Sequence, residues 1–136
     1  METFKLDSDI TVFVVPAFSF PQGIKQAFGE LVQKLHTTDS RTFFGISYQG
    51  EGGEMVYLAA VQEAFAGEGK KLGCETFVIE KGNYLAATVK AWQTDELQIG
   101  RTFRELSNAG RPCTFPCVEW YEGADVRCMV RLADEE

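Results

Sequence analysis

The sequence repeats one order of elements, strand, helix, strand, strand, and this order limits the possible folds more than any single motif does. Residues 11–15 are β-branched and aromatic, as in a strand buried on both faces. Apolar residues at helical spacing then predict an amphipathic helix over about 21–36, with Pro21 in its first turn. The apolar positions of this helix are Ile24, Phe28, Leu31, Val32 and Leu35. Residues 42–48 and 55–61 flank a glycine-rich turn and predict a hairpin.

The second half of the chain shows the same order of elements. Thr94 is a suitable N-cap for a helix that Gly110 and Pro112 would end. The predicted strands are residues 76–79, 84–91, 115–121 and 126–132. The two helices also resemble each other, because Phe28 and Phe103 each follow an isoleucine by four residues and precede a leucine by three.

This pattern predicts an α+β fold built from duplicated βαββ modules, at about residues 10–61 and 76–132, within a single domain spanning 1–136. We expect antiparallel sheets with two helices on one face and a ligand groove on the opposite face. Residues 62–73 connect the modules, and the sequence leaves open whether this connection covers the groove.

The charge and the cysteine spacing exclude several classes of function. The net charge of −7 argues against direct nucleic-acid binding, which needs a basic face, but it favours a cation or a basic partner. No apolar run approaches the roughly 18 residues of a membrane span, and no basic region precedes residues 10–20, so we expect a cytoplasmic protein. Four cysteines and one histidine lack the spacing of a zinc site, so no metal and no cofactor are expected.

Five short motifs, spread from about Ile10 to Leu132, share their order and spacing with a known family. They are the spaced Pro21, Ile24, Phe28 and Leu31 after the first strand, then Phe44-Gly45-Ile46, Tyr57-Leu58-Ala59-Ala60-Val61, the spaced Ile79, Gly82 and Tyr84, and Val118-Glu119-Trp120-Tyr121. With these motifs the chain resembles the GyrI-like, or AraC-type effector-binding, family of bacterial proteins.

The resemblance implies the duplicated βαββ fold and a domain that senses or sequesters a small molecule, cationic or aromatic and drug-like. Family members include ligand-sensing domains of transcription regulators, stand-alone proteins linked to gyrase inhibition or drug sequestration, and hydrolases of cyclopropane-bearing DNA-alkylating natural products. Haem-carrying SOUL-like proteins share the fold. The sequence shows no helix-turn-helix, so a stand-alone member without its own DNA-binding domain is expected.

Glu119 is the leading candidate for the charge partner of the ligand. Strand alternation places Glu119 and Tyr121 on one face and Val118 and Trp120 on the other. If Val118 and Trp120 pack under the helices, Glu119 points into the groove, where an unpaired carboxylate is costly to bury. The resemblance implies that Glu119 meets a cationic ligand with Tyr121 beside it. The alternative is a strand glutamate that faces water.

Tyr57, Tyr84 and Trp92 are the aromatic candidates for the wall of the groove. Planar rings stack on aromatic ligands and attract cations. Each of the three rings could instead fill the core.

Two other functions stay open at this point. In a hydrolase, Glu119 would activate a water molecule if an apolar groove raised its pKa, and Tyr57 or Tyr121 would donate a hydrogen bond to the leaving oxygen. In a protein-binding module, the acidic surface would contact a partner such as gyrase or a transcription regulator. His36, the single histidine, is favoured as a residue at a helix C-terminus over a haem ligand.

Overall fold

A computed structural model of the chain describes residues 1–133, which form eight strands and three helices. The helices are α1 (Ile24–Gln33), α2 (Glu68–Lys71) and α3 (Leu97–Ser107), with a short 3-10 turn at Trp92–Thr94. The strands are β1 (Glu2–Leu6), β2 (Ile10–Pro16), β3 (Phe43–Gln49), β4 (Met55–Gln62), β5 (Glu75–Ile79), β6 (Gly82–Val89), β7 (Cys113–Glu122) and β8 (Asp125–Leu132). The predicted α+β class is therefore confirmed.

The eight strands form one continuous antiparallel sheet, rather than the separate sheets expected from the sequence. Their order is β1-β6-β8-β7-β3-β4-β2-β5. Strand β3 pairs with β7 at the centre and joins the two halves, with Phe44 opposite Trp120 and Gly45 opposite Glu119. This central pairing makes one sheet out of the two predicted hairpin units.

The two halves of the chain occupy equivalent places in this sheet. The first half contributes β2, α1, β3 and β4, and the second contributes β6, α3, β7 and β8. Strand β1, which the sequence patterns did not predict, pairs with β6, and β5 pairs with β2. Each half therefore contributes the edge strand that pairs with the outermost strand of the other half. Duplication of one ancestral module stays a prediction.

Each long helix covers a different half of one sheet face. Helix α1 packs on β2 and β4, and α3 packs on β6 and β8. Leu31 of α1 and Leu106 of α3 are fully buried in these two contacts. Because the helices lie over the outer strands, the central strands β3 and β7 are left between them. The apolar spacing along each helix explains which side it turns to the sheet.

The opposite face of the sheet holds the main core. The curled sheet brings side chains of both edges into one cluster, which includes Leu6 of β1 and Ile79 of β5. Val118 is fully buried in this cluster, and Trp120 packs against it. The expected packing of Val118 and Trp120 under the helices is therefore wrong. The expectation that Glu119 points into a groove opposite the helices is wrong as well, because Glu119 lies in a cavity on the helix side. The curl of the sheet packs the side chains of the helix-free face against one another, and the cavity that contains Glu119 lies on the helix side.

The connection over residues 62–73 lies away from that open space. It contains α2, which packs on β2 and β5. Glu68 fixes it by an ion pair with Arg41 at 2.9 Å, both side chains being largely buried. No helix among residues 1–133 is long and apolar enough to cross a membrane.

Candidate functional site

A cavity of about 1060 Å³ opens between α1 and α3, above the central strands. Ligand pockets in proteins commonly enclose about 300–1,000 Å³, so this one suits a drug-sized molecule. Its lining combines buried groups from the sheet with exposed groups from the helices and loops. These residues are Phe20, Pro21, Gln22, Ile24, Lys25, Phe28, Phe43, Tyr57, Trp92, Glu96, Leu97, Ile99, Gly100, Arg101, Arg104, Glu119, Tyr121 and Gly123.

Glu119 lies on the floor of this cavity, near the middle of β7. The register of β7 places it between Gly45 of β3 and Cys128 of β8. Alternation along the strand puts Tyr121 on the same face, since successive side chains point to opposite sides of a sheet. A β-bulge between Thr114 and Cys117 precedes this stretch, and pairing with β8 is regular from Cys117 onward.

Two tyrosine hydroxyls hold the Glu119 carboxylate in place. The Tyr57 hydroxyl donates a hydrogen bond to Oε1 of Glu119 at 2.9 Å. The Tyr121 hydroxyl donates a second, short hydrogen bond to the same oxygen. Among the residues that the structure describes, no group donates a hydrogen bond to Oε2 of Glu119. The carboxylate therefore keeps one acceptor oxygen for a ligand or for water.

Burial raises the pKa of the Glu119 carboxyl above its usual range, although the two tyrosine hydroxyls partly oppose this by stabilising the charged form. Burial and the nearby carboxylate also raise the pKa values of Tyr57 and Tyr121, so both stay protonated donors. The thiol of Cys128, directly opposite Glu119, has its pKa raised to about 12, chiefly by burial. Burial at the floor therefore disfavours the charged form of Glu119, and a positive charge placed beside it would favour that form.

Gly45 makes room for this arrangement. A Cβ atom at this position would lie 2.0 Å from the Tyr57 hydroxyl and 2.6 Å from Oε1 of Glu119. Both distances are far below van der Waals contact. The hydrogen-bonded pair therefore rests on the bare backbone of β3, which explains a glycine inside a fully paired strand.

Five aromatic rings form a connected wall around the carboxylate. Phe20 stacks on Tyr57 with centroids 5.8 Å apart, and Phe28 meets Tyr57 at 6.3 Å and Tyr121 at 6.1 Å. Trp92 meets Tyr121 at 5.3 Å. Helix α1 supplies Phe28, and the loop before it supplies Phe20. Such a wall stabilises a cation or a flat ring placed over Glu119.

Four charged residues line the cavity nearer to solvent: Lys25, Glu96, Arg101 and Arg104. All four are exposed, whereas Tyr57 is 2% exposed and Glu119 is partly buried. Arg101 forms an ion pair with Asp95 at 2.6 Å. The cavity therefore has an acidic floor and a largely basic mouth.

The structure brings four of the five predicted site residues together, since Glu119, Tyr121, Tyr57 and Trp92 all line the cavity. Tyr84 does not line it. Its side chain is fully buried in the core on the helix-free face, and its hydroxyl donates to the carbonyl oxygen of Glu80 at 2.6 Å. The assignment of Tyr84 to the wall is thus corrected, because the phase of β6 turns this ring away from the helices. His36 is exposed and does not line the cavity.

Several lining residues were not among the predicted site residues. Phe20 and Phe28 gave no distinct signal in the sequence, because phenylalanine has no polar tip and is usually buried in a core. Gly45 carried a usable signal, since an isolated glycine inside a strand often marks a close approach by another group. The basic residues of the mouth gave no signal, because exposed charges are usual on a helix surface.

The fold is shared with solved structures of very different sequence. An integron cassette protein from the mobile metagenome of Vibrio cholerae has a TM-score of 0.70 at 13% identity, over 96% of this chain and 94% of that one. SAV2435, solved with tetraphenylphosphonium bound, has a TM-score of 0.61 at 11% identity, over 98% and 93% of the chains. A hydrolase from Listeria innocua has a TM-score of 0.56 at 8% identity, over 97% and 90%. No protein-family model matches the sequence, and a search of curated proteins found no match.

Proposed function

We propose that this protein binds a cationic, aromatic, drug-like molecule in the cavity between α1 and α3, for sensing or sequestration. The observation that carries the proposal is the Glu119 carboxylate, held by the hydroxyls of Tyr57 and Tyr121 at the base of an aromatic wall. The sequence resemblance to GyrI-like effector-binding domains points to the same class of ligand.

The physical reason lies in the cost of the buried carboxylate. Burial disfavours the charged form of Glu119, and a ligand cation offsets that penalty by adding a nearby opposite charge. The aromatic rings bury the apolar body of the ligand and present their negative faces to its charge. A neutral ligand of the same shape would gain only the burial of its apolar body against the rings.

One structural neighbour supports this class of ligand. SAV2435 shares the fold and was solved with tetraphenylphosphonium, a permanent cation that carries four phenyl rings. The cavity described here presents an acidic group among aromatic rings, which is the complement of such a molecule.

The proposal is tested by measuring tetraphenylphosphonium binding to the wild type and to Glu119→Gln by isothermal titration calorimetry. Glutamine keeps the shape and the acceptor oxygen for the tyrosines but removes the charge. We expect the binding free energy of Glu119→Gln to be less favourable than that of the wild type by about 1–3 kcal/mol, the scale of a charge-assisted contact. Glu51→Gln, an exposed change in the β3–β4 turn, makes the same change in net charge and should leave the affinity unaltered. Equal losses in both variants would reject Glu119 as the charge partner.

A second candidate function is hydrolysis of an electrophilic, cyclopropane-bearing natural product in the same cavity. The raised pKa of Glu119 suits a general base. Tyr57 or Tyr121 would donate a hydrogen bond to a leaving oxygen by giving up its present hydrogen bond to Glu119. A hydrolase from Listeria innocua shares the fold. Mass spectrometry of an incubated cyclopropane-bearing compound separates the two functions. A product with the mass of one added water, formed by the wild type and not by Glu119→Gln, would favour the hydrolase.

A further inference from the structure

The basic mouth of the cavity does not follow from a cation-binding function. Lys25 of α1 and Arg104 of α3 lie on the two helices that flank the opening, and both line the cavity. A protein that only captured cations would gain nothing from positive charges at the entrance, because like charges slow the approach of the ligand. This chain is acidic overall, with a net charge of −7, so the cluster runs against its average charge.

Neither of these two basic residues is neutralised by a neighbour. Within residues 1–133, Lys25 and Arg104 form no ion pair, whereas Arg101 is paired with Asp95. Lys25 also lies in the first turn of α1, which contains no acidic residue. The helix dipole disfavours a positive charge at this end, so helix stability does not account for Lys25.

The spacing along α3 turns its basic side chains to the same side as its apolar contacts with the cavity. Leu97, Arg101 and Arg104 recur at i, i+4 and i+7, and all three line the opening. Leu97 is 74% exposed, so a ligand that fills the mouth would cover an apolar side chain as well as meet a charge. The mouth therefore offers apolar contact beside two cations that have no ion-pair partner, and Glu96 is the single carboxylate among its four charged lining residues.

We propose that the mouth is an anion subsite formed by Lys25 and Arg104, and that the ligand is an amphoteric aromatic molecule. Its cationic ring system lies over Glu119, and a carboxylate, sulfonate or phosphate group at its other end meets the two basic side chains. The inference rests on the proposed function and deepens it, because it names the second charged group that the ligand carries.

The test compares two dyes that differ only at the proposed contact. Rhodamine B carries a cationic xanthene and a free carboxylate, and its ethyl ester has the same cation without the carboxylate. Fluorescence anisotropy gives the affinity of each dye for the wild type, Lys25→Gln, Arg104→Gln and Lys70→Gln. Lys70 is exposed on α2 and does not line the cavity, so it provides the control for net charge.

We expect Lys25→Gln and Arg104→Gln each to weaken the binding of rhodamine B by about 1.5- to fivefold, the range of a solvent-exposed ion pair. The affinity for the ester should change by much less, and Lys70→Gln should affect both dyes equally.

The outcomes separate this inference from the proposed function. If both dyes bind in a Glu119-dependent way and neither mouth variant distinguishes them, the anion subsite is overturned and the cation site stands. If neither rhodamine binds, the same variants are tested with 8-anilinonaphthalene-1-sulfonate, an aromatic anion, to measure whether the mouth binds an anion. Binding that weakens in Lys25→Gln and Arg104→Gln would support the anion contact at the mouth but would overturn the amphoteric ligand, because no cation would then be bound over Glu119. Absence of binding, or binding indifferent to both variants, would overturn both.

Discussion

Replacement of Gly45 by alanine places a methyl group directly under the Glu119 site. The new Cβ would lie 2.0 Å from the Tyr57 hydroxyl, so that oxygen would have to retreat to at least 3.4 Å to reach ordinary contact. Tyr57 is 2% exposed and packs against Phe20 and Phe28, so its ring has little free space. The retreat would break its 2.9 Å hydrogen bond to Glu119.

Two costs follow from this displacement. Loss of a hydrogen bond to a charged acceptor costs about 1.5–3 kcal/mol. Forcing a methyl group into a filled site adds about 1–3 kcal/mol of strain. We therefore expect Gly45→Ala to lower the free energy of unfolding by about 2.5–6 kcal/mol, a large share of the stability of a domain this size. Urea denaturation followed by circular dichroism measures this difference.

Matched variants make the result specific to the site. Gly29→Ala in α1, where an added Cβ meets nothing within 4 Å, should stabilise the protein by about 1 kcal/mol. In a Tyr57→Phe background the alanine at position 45 should cost less, because the nearest atom is then absent. If Gly45→Ala unfolds at the same urea concentration as the wild type and still binds tetraphenylphosphonium, the assigned role of Gly45 is refuted.

Two further predictions concern pH. The folded-state pKa of Glu119 is raised, so the stability of the wild type relative to Glu119→Gln should fall as the pH rises through that pKa. We expect Glu119→Gln to have a higher melting temperature than the wild type at pH 8, and the two melting temperatures to converge near pH 4. A difference between the two proteins that does not change with pH would contradict a buried carboxylate. The pKa of Glu68 is lowered, chiefly by its hydrogen bonds from Arg41. Ionised Glu68 therefore stabilises the folded state above its unfolded pKa, and this stabilisation is lost as the pH falls through the folded pKa. Glu68→Gln should cost about 1–3 kcal/mol at pH 7 and progressively less towards pH 3, and an acid-independent loss would point to packing rather than charge.

The element order and most element bounds could be predicted from local pattern. Strand β2 was predicted at residues 11–15 and observed at Ile10–Pro16. The apolar spacing located α1 and α3, but their predicted starts were wrong: α1 begins at Ile24, after Pro21, and the N-cap of α3 is Glu96 rather than Thr94. Alternation along β7 correctly put Glu119 and Tyr121 on one face. Strand β1 was missed because its alternation is short and its stability depends on pairing with β6, more than 75 residues away in the chain.

Only the tertiary structure decided which face of the sheet carries the site. Alternation separates two faces but does not say which of them a helix covers, so the groove was predicted on the wrong side. The answer depends on the curl of the whole sheet, which lets Val118, Trp120 and Tyr84 fill the helix-free face. The same non-local packing places Tyr57 of β4 over Gly45 of β3 and against Glu119 of β7. A sequence records the residues of such a site, but their distances follow from pairing between strands far apart in the chain.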